Sequence, residues 1–301
     1  IQAHPDKKLA EQLHAERPTV YKDDNHKPEM TLALTEFEAL CQFVTGEELK
    51  DALDTVPELR TVVGEPESAA FCAEPTSKAA LAAAFRSLMT ADPAQVKEQL
   101  DTLIPRLQAK GTDATPKEAL IVRLHEQYPG DVGVLSAYFL NYLTLKAGQG
   151  IYLSANEPHA YLSGECVECM ATSDNVVRAG LTPKLRDTEV LCSMLTYNQG
   201  LPHIYEGDVV DEHTRRYSTP SDEFEVEVLQ LAAGESHSLP AKSGASIMLV
   251  YEGATTASSH GRTLELATGD VYLIPANIAA DLKCTSDTRM FRCSASSRVC
   301  P

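Results

Sequence analysis

The chain has 301 residues, 43% of them hydrophobic, enough to bury a substantial core and to form two or three domains rather than one. Its 26 Lys and Arg stand against 43 Asp and Glu, a formal net charge of -17. That balance disfavours nucleic acid and anionic membranes as partners, and it obliges any anionic substrate to find a local basic pocket. No apolar run approaches the roughly 20 residues needed to span a bilayer, and no basic-then-apolar leader precedes Ile1. Cys41, Cys72, Cys166, Cys169, Cys192, Cys284, Cys293 and Cys300 are scattered and no Asn-x-Ser/Thr acceptor occurs, which favours reduced cytoplasmic thiols over a disulfide framework.

In chain order, Ile1 to His4 reads as the end of a strand, followed by a helix from Pro5 that carries Leu9 and Leu13. Gln2 and His4 are two apart, which puts both side chains on one strand face, a spacing suited to chelating one ion. For the bare pattern, a frayed end with two solvated polar residues is the simpler reading. From Tyr21 a polar turn runs into an alternating strand, Glu29 to Leu34. Pro28 holds Lys27 extended, so Lys27 and Glu29 point to the same side, with His26 on the other face or in the loop. Thr35-x-x-Glu38, Thr45-x-x-Glu48 and Thr115-x-x-Glu118 have capping-box spacing, and Asp92-Pro93 supplies an N-cap with proline at the first helical position. Amphipathic runs between them, such as Phe37, Leu40 and Val44 or Leu81, Phe85 and Leu88, extend a helical block over 36–127.

Tyr128-Pro129-Gly130-Asp131 closes that block, and Val134 to Leu145 reads as a buried strand. Short strands separated by Ser, Thr and Gly then continue to the C-terminus, as in a barrel or jelly roll. The stretch from Gly148 to Asn156 is echoed from Gly269 to Asn277, which points to two related β-units. Where the first unit has His159, the second has Ala279 or Ala280, so only the first carries this ligand candidate. Ile151 to Lys184 holds the densest set of reactive side chains: His159 beyond the Asn156-Glu157-Pro158 turn, Glu168, Asp174, Arg178 and Lys184. Cys166 and Cys169 have redox-motif spacing, but residues three apart on a strand face opposite ways, and no second such pair exists to complete a metal knuckle.

SDNVVRAGLTPK, PHAYLSG and the earlier DDNHKPEM, in that family's order and at plausible separations, resemble type I mannose-6-phosphate isomerase of the animal and fungal kind. The resemblance is strong from Ile1 to about Leu195 and looser beyond. It implies a mostly β protein with an inserted α-helical domain: a catalytic cupin-like jelly-roll domain at 1–35 and 128–195, the helical domain at 36–127, and a C-terminal cupin-like β domain at 196–301. Relative to that family the chain begins late, with Ile rather than Met, and a considerable N-terminal portion is expected to be absent, which puts the activity of this chain in question.

The resemblance further implies one zinc ion held by Gln2, His4, Glu29 and His159. Two imidazoles, a carboxylate and an amide oxygen suit a catalytic zinc, since the set is low in charge and leaves a coordination position open. The implied reaction interconverts mannose 6-phosphate and fructose 6-phosphate by proton transfer through an enediol. Glu168, His26 and Asp174 are the candidate proton carriers, with Glu168 preferred because zinc and Lys27 nearby can tune its pKa. Lys27 is assigned to ring opening or a substrate oxygen, and Arg178 with Lys184 to the phosphate. Arg178 can instead serve the reacting oxygens, with Asp174 orienting it. The expected form is a cytoplasmic monomer acting on a small sugar phosphate. Two other readings stand beside it: a cupin-type iron(II) dioxygenase, which predicts an apolar substrate pocket, and a truncated form that binds metal or sugar phosphate without turnover.

Overall fold

The computed structural model describes residues 1–300. Four antiparallel sheets and a helical block form successive layers. In the first barrel, a five-stranded sheet runs in the order Leu140–Leu145, Phe37–Phe43, His159–Ser163, Gln2–Ala3, Val177–Arg178. It faces a four-stranded sheet ordered Cys166–Met170, Glu29–Ala33, Gly150–Leu153, Ile204–Tyr205. Ala33, Phe37, Ala39, Cys41, Leu145 and Ile151 fill the space between the two. The second barrel pairs a six-stranded sheet with another of four strands around Leu229, Met248, Val250, Leu282 and Met290. The barrels join where Met30 and Leu32 of the first meet Tyr217, Val226 and Phe291 of the second.

The helices lie on the outer face of the five-stranded sheet, with Phe85 fully buried edge-on to Phe43 and against Phe139. Truncating such a residue to Ala typically costs about 3–5 kcal/mol. Their N-termini follow the capping logic. Thr115 and Glu118 exchange both bonds of a capping box, and the Asp92 side chain accepts from the Ala94 amide. The block nevertheless differs from the expected 36–127. It starts at Gly46 and closes with a short helix, Gly133–Ser136. Thr35-x-x-Glu38 starts no helix, because Phe37–Phe43 is a strand paired on both sides. Phe37, Ala39 and Cys41 face the barrel while Leu40 and Phe43 face the helices. A strand covered on both faces shows no clean alternation, so its apolar positions also satisfy a helical period. The same ambiguity explains the expected strand from Val134, where a buried helical turn precedes the strand Leu140–Leu145. A further difference is Ile204–Tyr205, expected in the C-terminal domain, which pairs with Gly150–Leu153 and completes the first barrel.

The duplicated β-units are cupin-like, and their echo extends to the backbone. Asn156 and Asn277 both sit in the left-handed region, at φ 64° and 62°, a conformation Asn tolerates better than most L-residues. Each precedes a strand, His159–Ser163 in one unit and Ala280–Cys284 in the other. The ligand candidate His159 therefore has Ala280 as its counterpart.

Candidate metal centre and substrate cavity

Two hydrogen-bonded ties bring residues distant in sequence to one point inside the first barrel. The Asn156 turn clasps the N-terminal segment: its amide N–H donates to the His4 carbonyl at 2.8 Å, and its side chain bonds Asp6 at 3.2 Å and 2.9 Å. The Asn175 side chain donates to the Asp23 carbonyl at 2.7 Å and to the Asn25 carbonyl at 3.0 Å, docking the loop that leads into Glu29–Ala33. A bulge supports the other side of His159. Gln42, at φ 59°, donates its amide to the Pro158 carbonyl, and Asn141 caps the neighbouring carbonyls of Cys41, Gln42 and Phe43.

The result is a buried cluster of His4, Glu29 and His159, each 1% exposed. Glu29 Oε2 lies 3.2 Å from His4 Nε2 and 3.4 Å from His159 Nε2. The protonation pattern follows from the far side of each ring. His4 Nδ1 is 2.7 Å from the Asn175 carbonyl and His159 Nδ1 is 3.1 Å from the Glu157 carbonyl. A carbonyl only accepts, so each Nδ1 carries a proton, and in the neutral rings each Nε2 turns a lone pair toward Glu29. His4 Nε2 and Glu29 Oε2 have no hydrogen-bond partner despite full burial, an arrangement that costs free energy unless a cation sits among them. Burial pushes the His159 imidazole down, which works against supplying that cation as a proton. Burial alone would push the Glu29 carboxyl up; His159 and His4 pull it well below the usual carboxylate range when their Nε2 atoms carry protons and donate to it. The Gln2 amide reaches the same place, 3.3 Å from His159 Nε2. The group thus offers two imidazole nitrogens, a carboxylate and an amide, donors that fit a divalent ion.

Beside the cluster lies a cavity of about 380 Å³ lined by Gln2, His159, Tyr161, Arg178, Thr182 and Lys184, among others. Arg178 is directly across the strand ladder from Gln2. Neither Arg178 nor Lys184 is ion-paired among the described residues, while the acidic chain neutralises most of its other cations in salt bridges. Two unpaired cations beside a polar cavity suit an anion and do not form the apolar pocket of the dioxygenase reading.

The N-terminal part of this site falls in a recognised domain. Residues 1–45, holding Gln2, His4 and Glu29, match the catalytic domain of phosphomannose isomerase type I, and residues 60–140 match its helical insertion domain. Over 305 residues the chain is 45% identical to mannose-6-phosphate isomerase 1 of Arabidopsis thaliana, covering 99% of this chain and 71% of that protein. This chain belongs to the type I phosphomannose isomerase family. Human mannose-6-phosphate isomerase is similar at 40% identity, with 97% of this chain and 73% of the human protein aligned. Among solved structures, a single-residue variant of phosphomannose isomerase from Salmonella typhimurium superposes with a TM-score of 0.85 at 28% identity, covering 98% of this chain and 75% of that one. A mannose 6-phosphate isomerase bound with zinc and yttrium superposes at 0.84 with the same identity and coverage.

The remaining candidates of this family member divide. Lys27 Nζ pairs with Glu29 Oε1 at 3.1 Å, leaving the other carboxylate oxygen to the imidazoles. Glu168 lies across from Thr31 and accepts a hydrogen bond from the Tyr161 hydroxyl at 2.7 Å. Desolvation and the Glu29 charge push the Glu168 carboxyl up, against the opposing pull of Tyr161 and Lys27. His26 is not brought to the cluster: its Nε2 is 2.9 Å from Glu223 Oε1 of the second barrel. Asp174 is exposed and makes no ion pair with Arg178 among the described residues; its amide donates to Asp23 instead. In a loop outside the strand ladder, four-residue spacing confers no proximity. Tyr161 escaped the sequence reading, yet it lines the cavity and touches both Thr31 and Glu168. Strand alternation from His159 was the available signal, since positions two apart share a face.

Proposed function

We propose that the chain is a zinc-dependent mannose-6-phosphate isomerase, interconverting mannose 6-phosphate and fructose 6-phosphate by proton transfer through an enediol. The observation that carries this reading is the buried His4, Glu29 and His159 cluster, with unpartnered Nε2 and Oε2 atoms facing one another, in a chain whose family relatives bear that name. One zinc per chain would be held by Gln2, His4, Glu29 and His159, and when bound it supplies Lewis-acid polarisation of the sugar oxygens.

The chain's own residues do the rest. The carbonyls of Asn175 and Glu157 fix the ring orientations of His4 and His159. Glu168 carries the proton between the two adjacent carbons; its upward-shifted carboxyl supports this role, since a general acid-base group works best when its pKa lies near the working pH. Tyr161 orients Glu168 through its hydroxyl. Arg178, opposite Gln2, steadies negative charge growing on the reacting oxygens, and Lys184 on the same cavity wall receives the phosphate. Lys27 pairs with Glu29 at 3.1 Å and assists ring opening. We further infer a monomer in a reducing, cytoplasmic setting, the eight cysteines being scattered along the chain rather than spaced as a disulfide framework. No described helix is long and apolar enough to cross a membrane.

The deciding experiment is chelator dialysis followed by metal restoration. Metal-stripped protein should fail to interconvert the two sugar phosphates, and one equivalent of zinc should restore turnover. Full activity without metal, or recovery only with iron(II) and consumption of dioxygen, would reject the assignment.

A further inference from the structure

The sulfurs of Cys169 and Cys293 lie 2.6 Å apart, although 124 positions separate them in sequence. A disulfide bond is about 2.05 Å long, so little displacement separates the two thiols from a covalent link. Each is fixed by its sheet. Cys169 is on Cys166–Met170, paired across to Met30, and Cys293 is on the interior strand Thr288–Ser294, between Val226 on one side and Ile247 on the other. Both thiols pack at the junction of the barrels. Cys166 turns the opposite way, into the first barrel, so the local Cys166-x-x-Cys169 spacing is not the redox pair. No other two cysteine sulfurs are in contact among the described residues. We propose that Cys169 and Cys293 form a site of reversible oxidative cross-linking, a disulfide made by a hydroperoxide and removed by a dithiol, that ties the two barrels together.

The step balances with the hydroperoxide as oxidant. The Cys293 sulfur attacks one peroxide oxygen, the O–O bond breaks, and the departing oxygen leaves as water or an alcohol, giving a sulfenic acid. The Cys169 sulfur then attacks that sulfur, the S–O bond breaks, and hydroxide leaves with the Cys169 proton as water. The two thiols lose two electrons and two protons, and the peroxide gains both. Either sulfur can donate its S–H to the other; the contact with Cys169 and the nearby Lys242 charge hold the Cys293 thiol below its usual range, which favours Cys293 as the first sulfur to attack. The cross-link fixes the sheet bearing Glu29 and Glu168 on the second barrel, and it stands independently of the isomerase reading.

The test treats the purified chain with hydrogen peroxide, alkylates the remaining thiols and maps peptides without reduction. The expected product is one cross-linked peptide pair containing Cys169 and Cys293, lighter by two hydrogens and lost on adding dithiothreitol. The thermal midpoint should rise on oxidation and return on reduction. Cys293→Ser and Cys169→Ser should each show neither change. Recovery of both cysteines as separately alkylated peptides, or oxidation confined to Cys72, Cys166 or Cys300, overturns the proposal, and the peptide map of the unsubstituted chain decides this even if both variants misfold.

Discussion

Glu29→Gln is the most informative single substitution, because it changes charge at the centre of the cluster and almost nothing in shape. The carboxylate, 1% exposed, is shared between Lys27 Nζ at 3.1 Å, His4 Nε2 at 3.2 Å and His159 Nε2 at 3.4 Å. Its loss leaves Lys27 without a counter-ion and removes the only anionic donor from a set whose imidazoles are neutral. Breaking a buried pair by removing one partner costs about 3–5 kcal/mol. With an unfolding entropy near 2.1 cal/mol/K per residue, or about 0.6 kcal/mol/K for 301 residues, the midpoint should fall by about 5–8 °C. Zinc content should drop to background and isomerisation with it. The pH dependence carries a sign of its own. A depressed folded-state pKa stabilises above the unfolded value, 4.5 for this group, and that stability is lost as pH falls toward the folded value. The variant should therefore lose less stability than the parent on acidification below that point. Metal analysis, a coupled assay and melts across pH read all three effects. A variant that keeps one zinc per chain and normal turnover would refute the cluster as the metal centre.

The other predictions bear on neighbouring groups. His159→Ala should abolish metal uptake and isomerisation while circular dichroism still reports a folded helical block; retained turnover counts against the assignment. Glu168→Gln preserves an acceptor for the Tyr161 hydroxyl and removes the titrating group, so kcat should fall about 10²–10⁴-fold, the usual range for a general acid-base residue, with zinc occupancy unchanged. A kcat within threefold of the parent would transfer the proton-carrying role elsewhere. Arg178→Ala should depress turnover or raise KM for the sugar phosphate far more than it lowers zinc content, and unaltered kinetics would take Arg178 out of the site.

Where the sequence could be read, a local rule acted without competition. The helix starts at Thr115 and Asp92 are formed by side chains capping their own backbone, and no tertiary contact is needed to recognise them. Phe37–Phe43 was misread because its second apolar face exists only to receive the helices, a fact settled by packing far along the chain. Ile204–Tyr205 is two residues long, too short for any period, and owes its assignment to pairing with Gly150–Leu153. The pairing of Cys169 with Cys293 joins different barrels and leaves no local trace.

The site was legible for a different reason. Gln2 with His4, and Lys27 with Glu29, are each two residues apart on strand or extended backbone, so a shared face follows from chain geometry alone. Their convergence with His159 required the Asn156 clasp and the Asn175 strut; Asn175 lies inside one of the motifs that carried the family resemblance, and Asn156 stands two residues before another. Those motifs and their flanks therefore hold two kinds of residue: donors that face the metal position, and amides that join the segments bearing them. His26 and Asp174 lie in the same motifs and belong with the second kind of position, on the loops rather than at the cluster. Membership of a motif places a residue near the site; whether it acts there depends on which way its strand or loop turns the side chain, and for Glu168 and Arg178 the ladder partners Thr31 and Gln2 supply that direction.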